Sequence, residues 1–240
     1  DLLAAVINTT ESFGLKISPD ALLTHFSNPK NATAIRLAAL ETLQKSKSPQ
    51  LRQALAQTLN DRDREIRARS FAALAGEDPA AAVAQARTIL ASNQTFDQQQ
   101  IFATLAPVKD PGAAALILSC VQNLETRPPA IQLDIIEAAS QRSEPEIIKA
   151  LADYHFQQDP ADPLASFRPA LAGGDIARGR SVFYNHGAAQ CTRCHFGQKG
   201  RKGGIAGPDL WNVGTLHEPS YLLESIVQPA AHIAPGYGTV

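Results

Sequence analysis

Apolar stretches with helical spacing alternate along the chain with short polar breaks. Apolar residues recur every three or four positions in Leu2–Phe13, Ile35–Leu43, Leu51–Leu59, Ile66–Leu74, Val83–Leu90, Ile101–Leu105, Leu116–Leu124 and Ile131–Ala139. That spacing gathers them on one face of a helix. Ser48-Pro49, Asp78-Pro79, Asp110-Pro111 and Glu144-Pro145 punctuate the stretches. Such pairs are helix starts, because proline lacks the N–H that the first turn of a helix leaves unpaired anyway. The pattern predicts an all-α chain built from helical hairpins over residues 1–159.

The hairpins carry a weak repeat. Ile35-Arg36, Leu40 and Leu43 return 31 residues on as Ile66-Arg67, Phe71 and Leu74. The same offset carries Phe71 and Leu74 onto Phe102 and Leu105, but Ile66 onto Asp97, so the match decays. Repeats of this length with two short helices each point to an α-solenoid. The segment Asp61-Arg-Asp-Arg-Glu-Ile-Arg-Ala-Arg-Ser-Phe-Ala-Ala-Leu74 resembles the second helix of HEAT-type repeats. The resemblance covers residues 28–155 and rests on degenerate motifs, so a non-repeating helical bundle stays open.

Composition changes near residue 173. Three of the 15 glycines precede it, and twelve follow. The run Asp159-Pro-Ala-Asp-Pro-Leu-Ala-Ser-Phe-Arg-Pro169, then Gly173-Gly174, reads as a semi-rigid linker over 160–172. The division is therefore 1–159, 160–172 and 173–240. The net charge of −1 argues against a nucleic-acid partner. No apolar run is long enough for a transmembrane segment. The chain opens at Asp1 without a Met or a basic start, and is read as a mature or excised segment. Of three cysteines, Cys120 closes an apolar stretch and reads as a buried thiol.

The other two cysteines lie in Cys191-Thr-Arg-Cys-His195. Two cysteines three apart, followed by histidine, form the attachment motif of c-type haem: both sulfurs on one turn, and the histidine as proximal iron ligand. At this composition the motif arises by chance roughly once in a thousand chains. A zinc knuckle needs four ligands, and no second cysteine pair exists. A thioredoxin-like redox pair needs a βαβ setting that the pattern does not offer. One covalent haem c on Cys191, Cys194 and His195 is the expectation.

Gly179-Arg-Ser-Val-Phe183 resembles the first helix of class I cytochromes c, and Gly207-Pro-Asp-Leu210 resembles the loop that follows their motif. Together with Tyr221-Leu-Leu-Glu-Ser-Ile-Val-Gln-Pro229 and Ile233-Ala-Pro-Gly-Tyr237, residues 173–240 resemble the cytochrome c modules of planctomycete- and verrucomicrobia-type proteins. In that family the module commonly follows helical repeats, and these often follow a sugar-dehydrogenase-like propeller. The resemblance implies a cytochrome c-like domain in which the Pro208 carbonyl takes a hydrogen bond from the His195 ring. It also implies an extracytoplasmic, periplasm-like location. The implied redox partner protein is a sugar- or alcohol-type dehydrogenase.

The family's second axial ligand is a methionine beyond the Ile-Ala-Pro-Gly-Tyr segment, and this chain has no methionine. Three alternatives stay open: the distal part of the domain is missing from this segment, another group fills the position, or the iron is five-coordinate. His232, then His217, are the candidate substitutes, each also readable as a surface histidine; His186 lies too close to Cys191 to reach the distal face. Leu210, Trp211, Tyr221, Leu222 and Ile226 are expected to wall the haem. Lys199, Arg201 and Lys202 form a solvated basic loop, a docking rim or a partner for the propionates. Three functions follow: electron transfer without enzymatic activity of its own, a haem enzyme or gas sensor with an open sixth position, and a protein-binding scaffold with accessory haem. Electron transfer is preferred. No phosphate-binding glycine loop, nucleophile elbow or His-Glu-x-x-His occurs. Asp61/Asp63 and Glu144/Glu146 read as helix N-terminal charges.

Overall fold

A computed structural model describes residues 2–10, 17–199 and 206–238, and these are all-helical with no strand among them. The helices are α1 (Leu2–Thr10), α2 (Pro19–Ser27), α3 (Thr33–Ser46), α4 (Leu51–Thr58), α5 (Arg64–Glu77), α6 (Pro79–Leu90), α7 (Thr95–Leu105), α8 (Pro111–Gln122), α9 (Pro129–Ser140), α10 (Pro145–Phe156), α11 (Ile176–Asn185), α12 (Val213–Leu216) and α13 (Pro219–Val227). Phe13, expected in the first helix, lies outside the described residues. Three of the four proline pairs open helices as expected; Ser48-Pro49 does not, since α4 begins two residues later at Leu51, with no side-chain cap. Asp78 caps α6 by accepting from Ala81 N at 3.0 Å, with Pro79 in the first turn. Asp110 accepts from Ala113 N before Pro111 opens α8. Asp63 caps α5 through Glu65 N at 2.9 Å.

The chain divides into two compact units, residues 1–122 with 135–150, and residues 123–134 with 151–240. The division falls inside α9 and α10, and the proline-rich segment belongs to the second unit.

In the first unit, α3 packs on α1, α2 and α5; α5 packs on α4, α6 and α7; α6 packs on α7 and α8. Phe26, Leu43, Leu55, Ile66, Phe102, Leu105 and Ile117 are buried at its centre. Cys120 is buried and forms no disulfide. Polar bonds tie successive helices. Arg36, 2 % exposed, reaches from α3 to Asp61 through both Nη atoms, at 3.1 and 2.5 Å. Its Nε donates to Phe26 O at 2.8 Å. Thr33 donates to Asp63. The offset partner Arg67 makes the corresponding fork from α5 to Asp97 in α7, at 2.7 and 3.1 Å. Asp97 is where the apolar repeat breaks, and it breaks because that position takes an arginine. Asp61 is likewise more than a helix-terminal charge. The Arg36 guanidinium holds its carboxyl below the ordinary carboxylate range. Arg142 closes α7 by donating to Ala106 O at 3.0 Å and Val108 O at 2.6 Å, and it pairs with Glu144.

In the second unit, residues 165–171 form a 3₁₀ segment with Ala165 and Pro169 buried, and α13 packs against it. At Gly173 a Cβ would stand 3.1 Å from Leu133 Cβ and 3.3 Å from Ala130 O, so glycine lets the chain lie close to the start of α9 without displacing its neighbours. Gly174 follows at φ +112°, a left-handed turn that glycine takes without strain. The turn leads into α11, capped by Asp175, which accepts from Arg178 N at 2.8 Å. No described helix is long and apolar enough to cross a membrane.

Candidate functional site

The motif sits on a single tight turn. Gln190 takes a left-handed conformation (φ 46°), and residues 191–193 form one 3₁₀ turn against α11. Cys194 N and His195 N both donate to Cys191 O, at 3.2 and 3.0 Å. The two thiols and the imidazole therefore leave one turn of backbone, all three half-buried. The cysteines are not joined to each other. Among the described residues, no three His, Cys, Asp or Glu side chains come together as a metal-ion cluster.

The segment 206–210 folds back onto the motif. Leu210 N donates to Phe196 O at 2.7 Å. This brings the Pro208 carbonyl oxygen to 2.9 Å from His195 Nδ1. A carbonyl only accepts, so the contact selects the tautomer protonated at Nδ1. Nε2 keeps its lone pair, and the ring is held by its other nitrogen, as a histidine ligand to a metal is. Asp209 braces the turn by accepting from Trp211 N at 2.9 Å.

Tyr184 was not singled out by sequence, yet its Oη donates to Gly197 O at 3.2 Å and ties α11 to the exit of the motif. Phe183 lies edge-on to it at 5.0 Å. Tyr184, Thr192, His195, Phe196, Gly197 and Gln198 line a concavity of about 320 Å³. A phenol that reaches a carbonyl 13 residues along the chain leaves no local signal in the sequence.

The remaining expected residues fall in two groups. Pro208 and Leu210 are half-buried beside the motif. Trp211 is 53 % exposed and Ile226 is 78 % exposed, while Tyr221 and Leu222 are half-buried on α13. Across the described residues from 174 to 238, only Gly207 is buried. So an apolar set of Val182, Trp211, Leu216, Ile226 and Ile233 lies open. Protein alone does not supply a core here, and the donor set Cys-x-x-Cys-His with an oriented imidazole is the one a covalent haem takes. The residues fit that group.

Both candidate distal histidines stack on Tyr221. His217 lies 4.1 Å from its ring centroid at 13°, and His232 lies 5.0 Å away at 22°. His232 Nε2 is also 2.9 Å from Glu224 Oε2. His186 Nδ1 accepts from Ala189 N at 3.1 Å, on the loop that enters the motif. Lys199 is exposed; Arg201, Lys202 and residues 203–205 lie outside the described residues.

No protein-family model, curated protein or solved structure matches the chain.

Proposed function

We propose that the segment from residue 173 onward is a cytochrome c-like unit that carries one haem c, and that its function is one-electron transfer. Cys191 and Cys194 would hold the macrocycle through thioether bonds, and His195 would ligate the iron. The observation that carries this reading is the 2.9 Å contact between His195 Nδ1 and the Pro208 carbonyl, on the same turn that presents both sulfurs. The bound haem supplies a reversible one-electron couple. The chain's own residues set its terms. Pro208 fixes the tautomer and raises the basicity of the imidazole, which favours the oxidised state. Leu210, Trp211, Tyr221, Leu222 and Ile226 supply apolar surface that lowers the local dielectric.

The first unit is read as a HEAT-like solenoid that acts as spacer or docking surface. Alternate helices pack in series (α3 on α5, α5 on α7), and the arginines of the two arginine–aspartate forks recur at the repeat offset, which supports this. The partner is a redox protein of the dehydrogenase class, and the location is extracytoplasmic, where such attachment takes place.

The test is the visible spectrum of the full chain produced with a c-type haem attachment system. Electron transfer predicts six-coordinate, low-spin iron in both oxidation states. A high-spin ferrous form that binds CO rapidly would instead support an open sixth position. The engagement of His217 and His232 with Tyr221 and Glu224 favours that second reading.

A further inference from the structure

Gly207 is the residue most tightly enclosed around the motif. A Cβ built there would stand 2.7 Å from His195 Cε1, 2.9 Å from His195 Nδ1 and 3.0 Å from Cys194 O. Ordinary contacts begin near 3.4 Å, so two ring atoms and a backbone oxygen would all have to move. Backbone conformation does not ask for glycine at this position, since among the described residues the positive-φ glycines are Gly174 and Gly236. What excludes a side chain is the imidazole itself. The ring cannot yield on its own, because Nδ1 is held to the Pro208 carbonyl one residue further on. The backbone of 208–210 cannot yield either without stretching the 2.7 Å bond from Leu210 N to Phe196 O.

We infer that Gly207 is a positioning residue for the iron ligand: its bare Cα is the stop against which the His195 ring rests, setting the ring plane and admitting the Pro208 carbonyl to Nδ1. This rests on the haem reading above. It adds a determinant of the redox potential that acts through the ring of the ligand. Gly207→Ala pushes the ring away from the carbonyl, so the Nδ1–H bond lengthens and the imidazole donates less strongly. The weaker ligand stabilises ferric iron less, and the potential rises.

The experiment uses the full haem-loaded chain and compares Gly207→Ala with Pro208→Ala, which keeps both the glycine and the backbone carbonyl. Redox titration should show the ferric-to-ferrous ratio at a fixed poise falling about tenfold in Gly207→Ala, equivalent to about 59 mV for a one-electron couple. Pro208→Ala should shift it far less. NMR of the ferrous protein should show faster solvent exchange of the His195 Nδ1 proton in Gly207→Ala alone. Loss of haem from Gly207→Ala with retention in Pro208→Ala also supports the assignment. Equal shifts in both variants, haem loss in both, or an unchanged potential and exchange rate in Gly207→Ala overturn it. A wild-type chain that takes up no haem counts against the functional reading, not against the steric role of Gly207.

Discussion

Removing one carboxylate from α5's entry loop should be among the most damaging single changes to the first unit. Arg36 is 2 % exposed and Asp61 10 % exposed at the side chain. Asp61→Ala deletes both acceptors of the bidentate fork and the acceptor for Asp63 N at 2.9 Å. The guanidinium keeps only Phe26 O. Breaking a buried pair from one side costs about 3–5 kcal/mol, because the other charge stays buried without compensation. The partial exposure of Asp61 lets some water reach the site, which puts the expected loss near the lower end, about 3 kcal/mol. With a urea m-value of about 1–3 kcal/mol/M, the midpoint should drop by about 1–3 M. Urea denaturation followed by far-UV circular dichroism reads this. Arg36→Met removes the buried charge itself, so adding Asp61→Ala to that background should cost about 1 kcal/mol or less. A loss under about 1 kcal/mol for Asp61→Ala alone, or full additivity in the double variant, would refute the reasoning.

Three further outcomes follow from other contacts. The carboxyls of Asp61, Asp63 and Glu144 are held below their ordinary values by hydrogen bonds from Arg36, Thr33 and Arg142. Each therefore contributes stability that is present above the unfolded carboxylate value of about 4 and lost as pH falls through the folded values. The urea midpoint should decline on that acid limb, and less so in Asp61→Ala. Tyr154 runs the other way: burial, then the charge of Glu125, raises its phenol. Its contribution is intact below about pH 10 and is lost as pH rises through the folded value, which Tyr154→Phe should abolish in alkaline melts. Arg142→Ala uncaps the end of α7 by freeing the Ala106 and Val108 carbonyls. It should cost about 1–3 kcal/mol in the same denaturation assay.

The helices of the first unit were legible because their apolar spacing and their Asp-Pro or Glu-Pro starts are local signals. α2 and α10 escaped the periodicity. Each shows few fully buried residues, Leu22 and Phe26 in α2 and Ile147 in α10, so neither prints a long stripe. The arginine forks were half legible: the repeat aligned Arg36 with Arg67, but their partners Asp61 and Asp97 sit at unequal separations and look like breaks in the pattern. The motif Cys191–His195 was readable from spacing alone, since attachment chemistry fixes the spacing. The Pro208 contact came from resemblance, and the structure supplies its distance. Tyr184 and the enclosure of Gly207 were not readable. A phenol reaching a carbonyl 13 residues away, and a glycine required by a ring rather than by its own φ, leave no local trace. The stacking of His217 and His232 on Tyr221 joins residues that sequence treated as separate candidates.

The most direct test of the central claim is the intact mass of the full chain under denaturing conditions, after production in a host that attaches c-type haem. A covalent haem on Cys191 and Cys194 predicts one species, heavier than the chain by one haem, reduced to the bare chain in Cys191→Ser, Cys194→Ser. The mass of the bare chain in the wild type under those conditions would contradict the account.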